Sequence, residues 1–138
     1  MNTHRLEDIL ITKQISPTNM RLMVLDHMLK QQSAISITGL ENEFERSDRI
    51  TLYRTLKTFE KKGLIHSIND GTVTKYAMCE DHCTENHHAD SHLHFYCTSC
   101  KETFCLPRIK TPEIKLPGSF KMQELSLIAR GLCEKCSA

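Results

Sequence analysis

Along the first sixty positions, apolar residues recur at the three- and four-residue intervals of helices that bury one face. Leu6, Ile9 and Leu10 form a short stripe that Pro17 ends. Thr18 stands where a helix N-cap belongs, ahead of Leu22, Leu25, Met28 and Leu29. Gln31 to Ile37 carries no such pattern and reads as a loop. Thr38-Gly39-Leu40-Glu41 has the spacing of a capping box and opens a short helix with Leu40 and Phe44 inward. Ser47 is placed to cap the next helix, on which Leu52, Leu56 and Phe59 share a face. Gly63 after Lys61-Lys62 supplies a stop, with cations at the negative end of the helix dipole.

The period then changes from helical to alternating. Leu64 to Ile68 and Thr72 to Tyr76 flank Asn69-Asp70-Gly71, the pattern of a β-hairpin. Helices followed by a hairpin make a winged helix-turn-helix, so residues 1–78 are expected to form a DNA-binding domain. Residues 79–91 are polar, His-rich and without period, which suits a hinge or metal-binding loop. His92 to Cys97 alternates, placing His92, His94 and Tyr96 on one strand face and Leu93, Phe95 and Cys97 on the other. Lys121 to Leu132 alternates less regularly. Residues 92–138 therefore read as a small α/β lobe, and the chain as α+β.

Composition narrows the picture. The 138 residues are 39% hydrophobic and 25% charged, in the globular range. A net charge of +1 excludes a uniformly basic protein. Cut after Met78, the front half holds eleven Lys and Arg against nine Asp and Glu, the back half seven against eight. No apolar run approaches the ~20 residues a membrane span needs. Met1-Asn2-Thr3-His4-Arg5 has no apolar signal core. A cytoplasmic protein with no membrane partner is expected.

In that compartment thiols stay reduced, and Cys patterns read as metal sites before disulfides. All seven Cys and five of the eight His lie from Cys79 onward. Cys97-x-x-Cys100 and Cys133-x-x-Cys136 are two thiolate pairs, and two such turns complete a tetrahedron around one Zn²⁺. The closed set leaves no position for substrate, so this zinc is structural. A second set holds His66, Cys79, His92, His94 and Cys105, mixed imidazole and thiolate donors that suit Zn²⁺ better than Fe²⁺ or Mn²⁺. His82, Cys83, His87 and His88 are available for an additional site.

At the start of the Ser47–Lys62 helix and along it, Arg46, Arg49, Tyr53 and Lys57 are spaced to share a face, flanked by Thr51, Arg54 and Lys61. Long cations reach phosphates or a guanine edge, and a tyrosine ring can meet a thymine methyl. The same spacing also serves a solvated face, and Tyr53, beside Leu52 and Leu56, would equally serve the core. With so few cations per chain, two copies on a two-fold DNA site are expected to share the contacts.

Thr18-x-x-Arg21, Leu52-Tyr53-Arg54-Thr55-Leu56, Gly63-Leu64-Ile65, His92-x-His94-Phe95-x-Cys97-x-x-Cys100 and Gly131-x-Cys133-x-x-Cys136 occur in order over nearly the whole chain. Together they resemble the ferric uptake regulator family. The resemblance implies a homodimer of winged-helix and dimerisation domains with a four-cysteine structural zinc, and metal-dependent repression at inverted-repeat operators.

Within the family the zinc uptake regulator branch is most similar. Iron, manganese and peroxide sensors usually place a His where Ser33-Ala34-Ile35-Ser36 has none, and carboxylates where Cys79 and Cys105 stand. His66 falls where the zinc branch can supply a hairpin ligand, whereas Ser91 and Leu93 do not suit the further interdomain site of some members. The expected function is a zinc-sensing repressor of metal-uptake genes, with an iron, manganese or peroxide sensor of the same fold as the alternative. A zinc hydrolase or deaminase is disfavoured, since the deaminase signature is not matched: His88-Ala89-Asp90 is no H-x-E and no Pro precedes Cys97. The chain is not expected to be an enzyme. A zinc-stabilised protein-interaction module would leave the Arg49–Lys57 face without a role.

Overall fold

The computed structural model describes residues 3–44, 48–69, 71, 73–78, 92–110, 112–123 and 125–138. The chain divides into two compact units, Met1–Asp90 and Ser91–Ala138. The first runs α1 (Thr3–Thr12), α2 (Asn19–Lys30), β1 (Ile35–Ser36), α3 (Ile37–Glu43), α4 (Arg49–Lys61), β2 (Ile65–Asn69) and β3 (Thr74–Met78). Its sheet has the order β1-β3-β2, antiparallel throughout. Helices followed by a hairpin are the expected winged helix-turn-helix. No helix among the described residues is long and apolar enough to cross a membrane.

Leu10, Val24, Leu25, Leu40, Leu52, Leu56, Phe59 and Ile65 are wholly buried and join α1, α2, α3, α4 and β2 in one core. Thr18 caps α2 as expected, its hydroxyl accepting from the Arg21 N–H at 3.2 Å. The inward stripe of α2 is Val24, Leu25 and Met28, whereas Leu29 is 40% exposed. Successive helical residues turn by about 100°, so Leu29 lies past the edge of a face centred on Val24 and Met28.

Two helix starts differ from expectation. α3 is capped by Ser36, whose hydroxyl accepts from the Gly39 N–H at 3.0 Å, not by Thr38. Ser36 is already extended because it pairs with Lys75 across β1 and β3, the backbone an N-cap needs. The same pairing gives Gln31–Ile37 a two-residue strand where a loop was expected. α4 is capped by Asp48, whose Oδ1 accepts from the Ile50 N–H at 3.1 Å. Its charge also suits the positive end of the helix dipole. Ser47 lies outside the described residues.

α4 ends as expected at Gly63, at φ 80°, a left-handed conformation that glycine adopts without a Cβ clash. The Gly63 N–H donates to the Glu60 carbonyl at 3.1 Å and the Leu64 N–H to the Phe59 carbonyl at 2.9 Å. This is a Schellman motif, with Phe59 and Leu64 both in the core.

The second unit contains β4 (His92–Cys97), β5 (Thr103–Lys110) and β6 (Ile128–Gly131), in the order β5-β4-β6. β4 pairs antiparallel with β5 and parallel with β6. Among the described residues, the expected alternation over Lys121–Leu132 yields a strand only at Ile128–Gly131. β5 has no clear alternation in the sequence. It is an edge strand carrying Pro107, and its ladder with β4 skips from Leu106 to Lys110 at a bulge.

Candidate functional site

The parallel pairing of β4 with β6 decides where the cysteines meet. Parallel strands finish at the same end of a sheet, so the turns after Cys97 and Gly131 leave side by side. The Thr98 N–H donates to the Gly131 carbonyl at 2.8 Å and its hydroxyl to the same oxygen at 3.2 Å. Glycine suits position 131, since a Cβ there would stand 3.3 Å from Phe95 Cζ. Cys97, Cys100, Cys133 and Cys136 thereby come together, their Sγ atoms within 4.8 Å of one another.

This cluster fits zinc. Four sulfurs about 2.3 Å from one ion lie about 3.8 Å apart along each tetrahedral edge. Cys100 Sγ and Cys133 Sγ are 3.9 Å apart. Cys97 is buried, and its sulfur accepts from the N–H groups of Cys100 and Cys133, each at 3.4 Å. Those donors, Cys100 first, pull the Cys97 thiol down to about 6. The Glu102 N–H also pulls Cys100 down, but desolvation and the thiols of Cys97, Cys133 and Cys136 outweigh it and push Cys100 up to about 11. Against the pull of the Ser99 hydroxyl, Cys133 and Cys97 push Cys136 up as well. Four crowded thiols resist ionising together, and a divalent cation removes that penalty. Zinc held there supplies a cross-link worth ~10–16 kcal/mol in small zinc modules.

A second pair of donors faces across β4 and β5. His94 and Cys105 are register partners, so their side chains share one sheet face. Their ligand atoms lie within 4.8 Å; His94 is buried and Cys105 half-buried. His66 sits in the first unit on β2, opposite Ala77, and is also buried. Cys79, His82, Cys83, His87, His88 and the His92 side chain lie outside the described residues.

Arg49, Thr51, Tyr53, Arg54 and Lys57 are all exposed on α4, while Leu52, Leu56 and Phe59 take its core side. Tyr53 belongs outside the core at 48% exposure, with Lys57 Nζ 5.4 Å from its ring centroid. Lys57 also pairs with Glu60 at 3.2 Å. Arg49 turns toward α3, bonded to Glu41 at 3.3 Å and the Thr38 hydroxyl at 3.4 Å. The two side chains that looked like a capping box thus hold a guanidinium. Arg46 lies outside the described residues. One residue of this face was not singled out from the sequence: Ile50, 59% exposed in the first turn. Its spacing of three, four and seven from Tyr53, Arg54 and Lys57 is the signal that could have found it.

The ferric uptake regulator family profile matches residues 13–129. No curated protein sequence matches the chain. Among solved structures, a zinc uptake regulator complexed with zinc and DNA is similar at 21% identity and a TM-score of 0.67, covering 98% of this chain and 92% of that one. The Vibrio cholerae ferric uptake regulator is similar at 19% identity and a TM-score of 0.61, covering 92% and 98%. The Pseudomonas aeruginosa ferric uptake regulator with manganese has 16% identity and a TM-score of 0.61, covering 97% and 99%.

Proposed function

Because the chain belongs to the ferric uptake regulator family, whose members are dimeric, metal-responsive DNA-binding transcription regulators and not enzymes, we propose that it is a zinc-responsive repressor of metal-uptake genes. It acts in the cytoplasm as a homodimer on inverted-repeat operators. The regulatory ligands are drawn from His66, Cys79, His92, His94 and Cys105.

The observation that carries this reading is the cross-strand pair of His94 and Cys105. An imidazole beside a thiolate is a borderline-to-soft donor set, matched to Zn²⁺ rather than to the carboxylate-preferring Mn²⁺. Apolar Ile114, Leu116, Phe120 and Met122, exposed on the second unit, support pairing with a second copy. Arg54 and Lys57 on α4 support a grip on phosphate.

With zinc held by these ligands, the two winged helices of the dimer sample fewer separations. The arrangement that meets successive major grooves then costs less to select, and DNA affinity rises by population shift. Titrating Zn²⁺, Fe²⁺ or Mn²⁺ into protein loaded only at the four-cysteine site, with a duplex selected from random-sequence DNA, tests this. Zinc should raise affinity about 5- to 150-fold, the usual range of such coupling. Unchanged affinity with zinc, or an equal response to Mn²⁺, would overturn it.

A further inference from the structure

The outward face of α4 begins with a residue that neither packing nor charge explains. Ile50 stands exposed in the first turn, while the core side of the helix is filled by Leu52, Leu56 and Phe59. Tyr53, one turn on, is exposed beside it on the same face. Cations flank the two: Arg49 before them, Arg54 and Lys57 after. We propose that Ile50 selects thymine by closing over its 5-methyl group in the major groove.

This assignment rests on the reading of α4 as the recognition helix. The first residues of such a helix are the ones that reach base edges. Of the four bases, only thymine presents an apolar group in the major groove. An isoleucine has no donor or acceptor to offer the other base edges, so its contribution there is methyl contact or none. The neighbouring guanidinium does not compete for the position, because Arg49 leans away to Glu41 and Thr38. The flanking charges also choose the partner. An apolar patch one side chain wide, set among cations, complements a methyl within a polyanion better than an apolar protein surface.

The test uses the full zinc-loaded chain and a duplex recovered by selection from random-sequence DNA. Replacing thymine with deoxyuridine, one position at a time, removes the methyl and leaves base pairing intact. At one position in each half-site, wild type should bind about fourfold more weakly, the value of one buried methyl group. Ile50→Ala, which alters both copies of the dimer, should bind the thymine duplex about as wild type binds a duplex with uracil at both such positions, about sixteenfold more weakly, and should show no further loss on uracil. Ile50→Val should keep part of the discrimination, and zinc content and circular dichroism should match wild type for both variants. Equal thymine-to-uracil ratios for wild type and Ile50→Ala at every position would overturn the assignment while leaving DNA recognition standing. Failure of the selection to recover any sequence would overturn both.

Discussion

The Thr98 N–H and the Gly131 carbonyl, 2.8 Å apart, join the two strand ends from which the cysteine turns depart. A side chain at Gly131 would press on the Phe95 ring, the Cβ alone standing 3.3 Å from its Cζ. Gly131→Val is therefore expected to destabilise the second unit by about 1–3 kcal/mol, the usual cost of overpacking. Denaturant unfolding of the zinc-loaded protein measures this, and competition with a chelator should show zinc released more readily than from wild type.

Removing a sulfur has a larger effect. Cys133→Ser deletes one ligand and leaves Cys97 without the geometry that draws two N–H groups onto it. Among the described residues, the second unit has few fully buried side chains of its own, and zinc binding of this type is worth ~10–16 kcal/mol. The variant should lose one zinc per chain, lose the β signature of this unit in circular dichroism, and sediment as a monomer. A zinc-free dimer of native shape would contradict the structural role.

The His92→Ala, His94→Ala double variant should behave differently. It is expected to remain a folded dimer with its four-cysteine zinc in place, and to bind the selected duplex with an affinity that no longer changes with added metal. Metal analysis and DNA titrations on the same sample separate the two roles.

Arg54→Ala removes an exposed cation from α4 without touching the core. Zinc content and thermal stability should be unchanged. DNA binding should weaken for all sequences alike, and the slope of log affinity against log salt should fall by about two, one for each copy of the dimer.

Much of the first unit could be read from local pattern. Leu52, Leu56 and Phe59 fix the buried face of α4, and Gly63 fixes its end, because helical periodicity and capping act within a few residues. The four-cysteine site was equally legible, since C-x2-C spacing carries its own geometry. What escaped depends on contacts distant in sequence. Ser36 became the cap of α3 through its pairing with Lys75. β5 escaped because Pro107 and a bulge break the alternation that marks a strand. Nothing local announced that β6 would lie parallel to β4, and this pairing brings the two cysteine turns to one end. Ile50 was passed over because exposed isoleucines are common and only its neighbours give it meaning.

The Schellman turn at Gly63 has a bearing on how the molecule meets a duplex. Between the last residue of α4 and the first of β2 stand only Lys62, Gly63 and Leu64, clamped by two backbone bonds and anchored in the core at both ends. Such a joint has no slack. In the proposed complex with DNA, reading helix and wing would approach as a single rigid tool, so one copy would not adjust its fit by flexing there. With zinc also restricting the separation of the two copies, as proposed, a lengthened or shortened gap between half-sites should be penalised more heavily than a single wrong base.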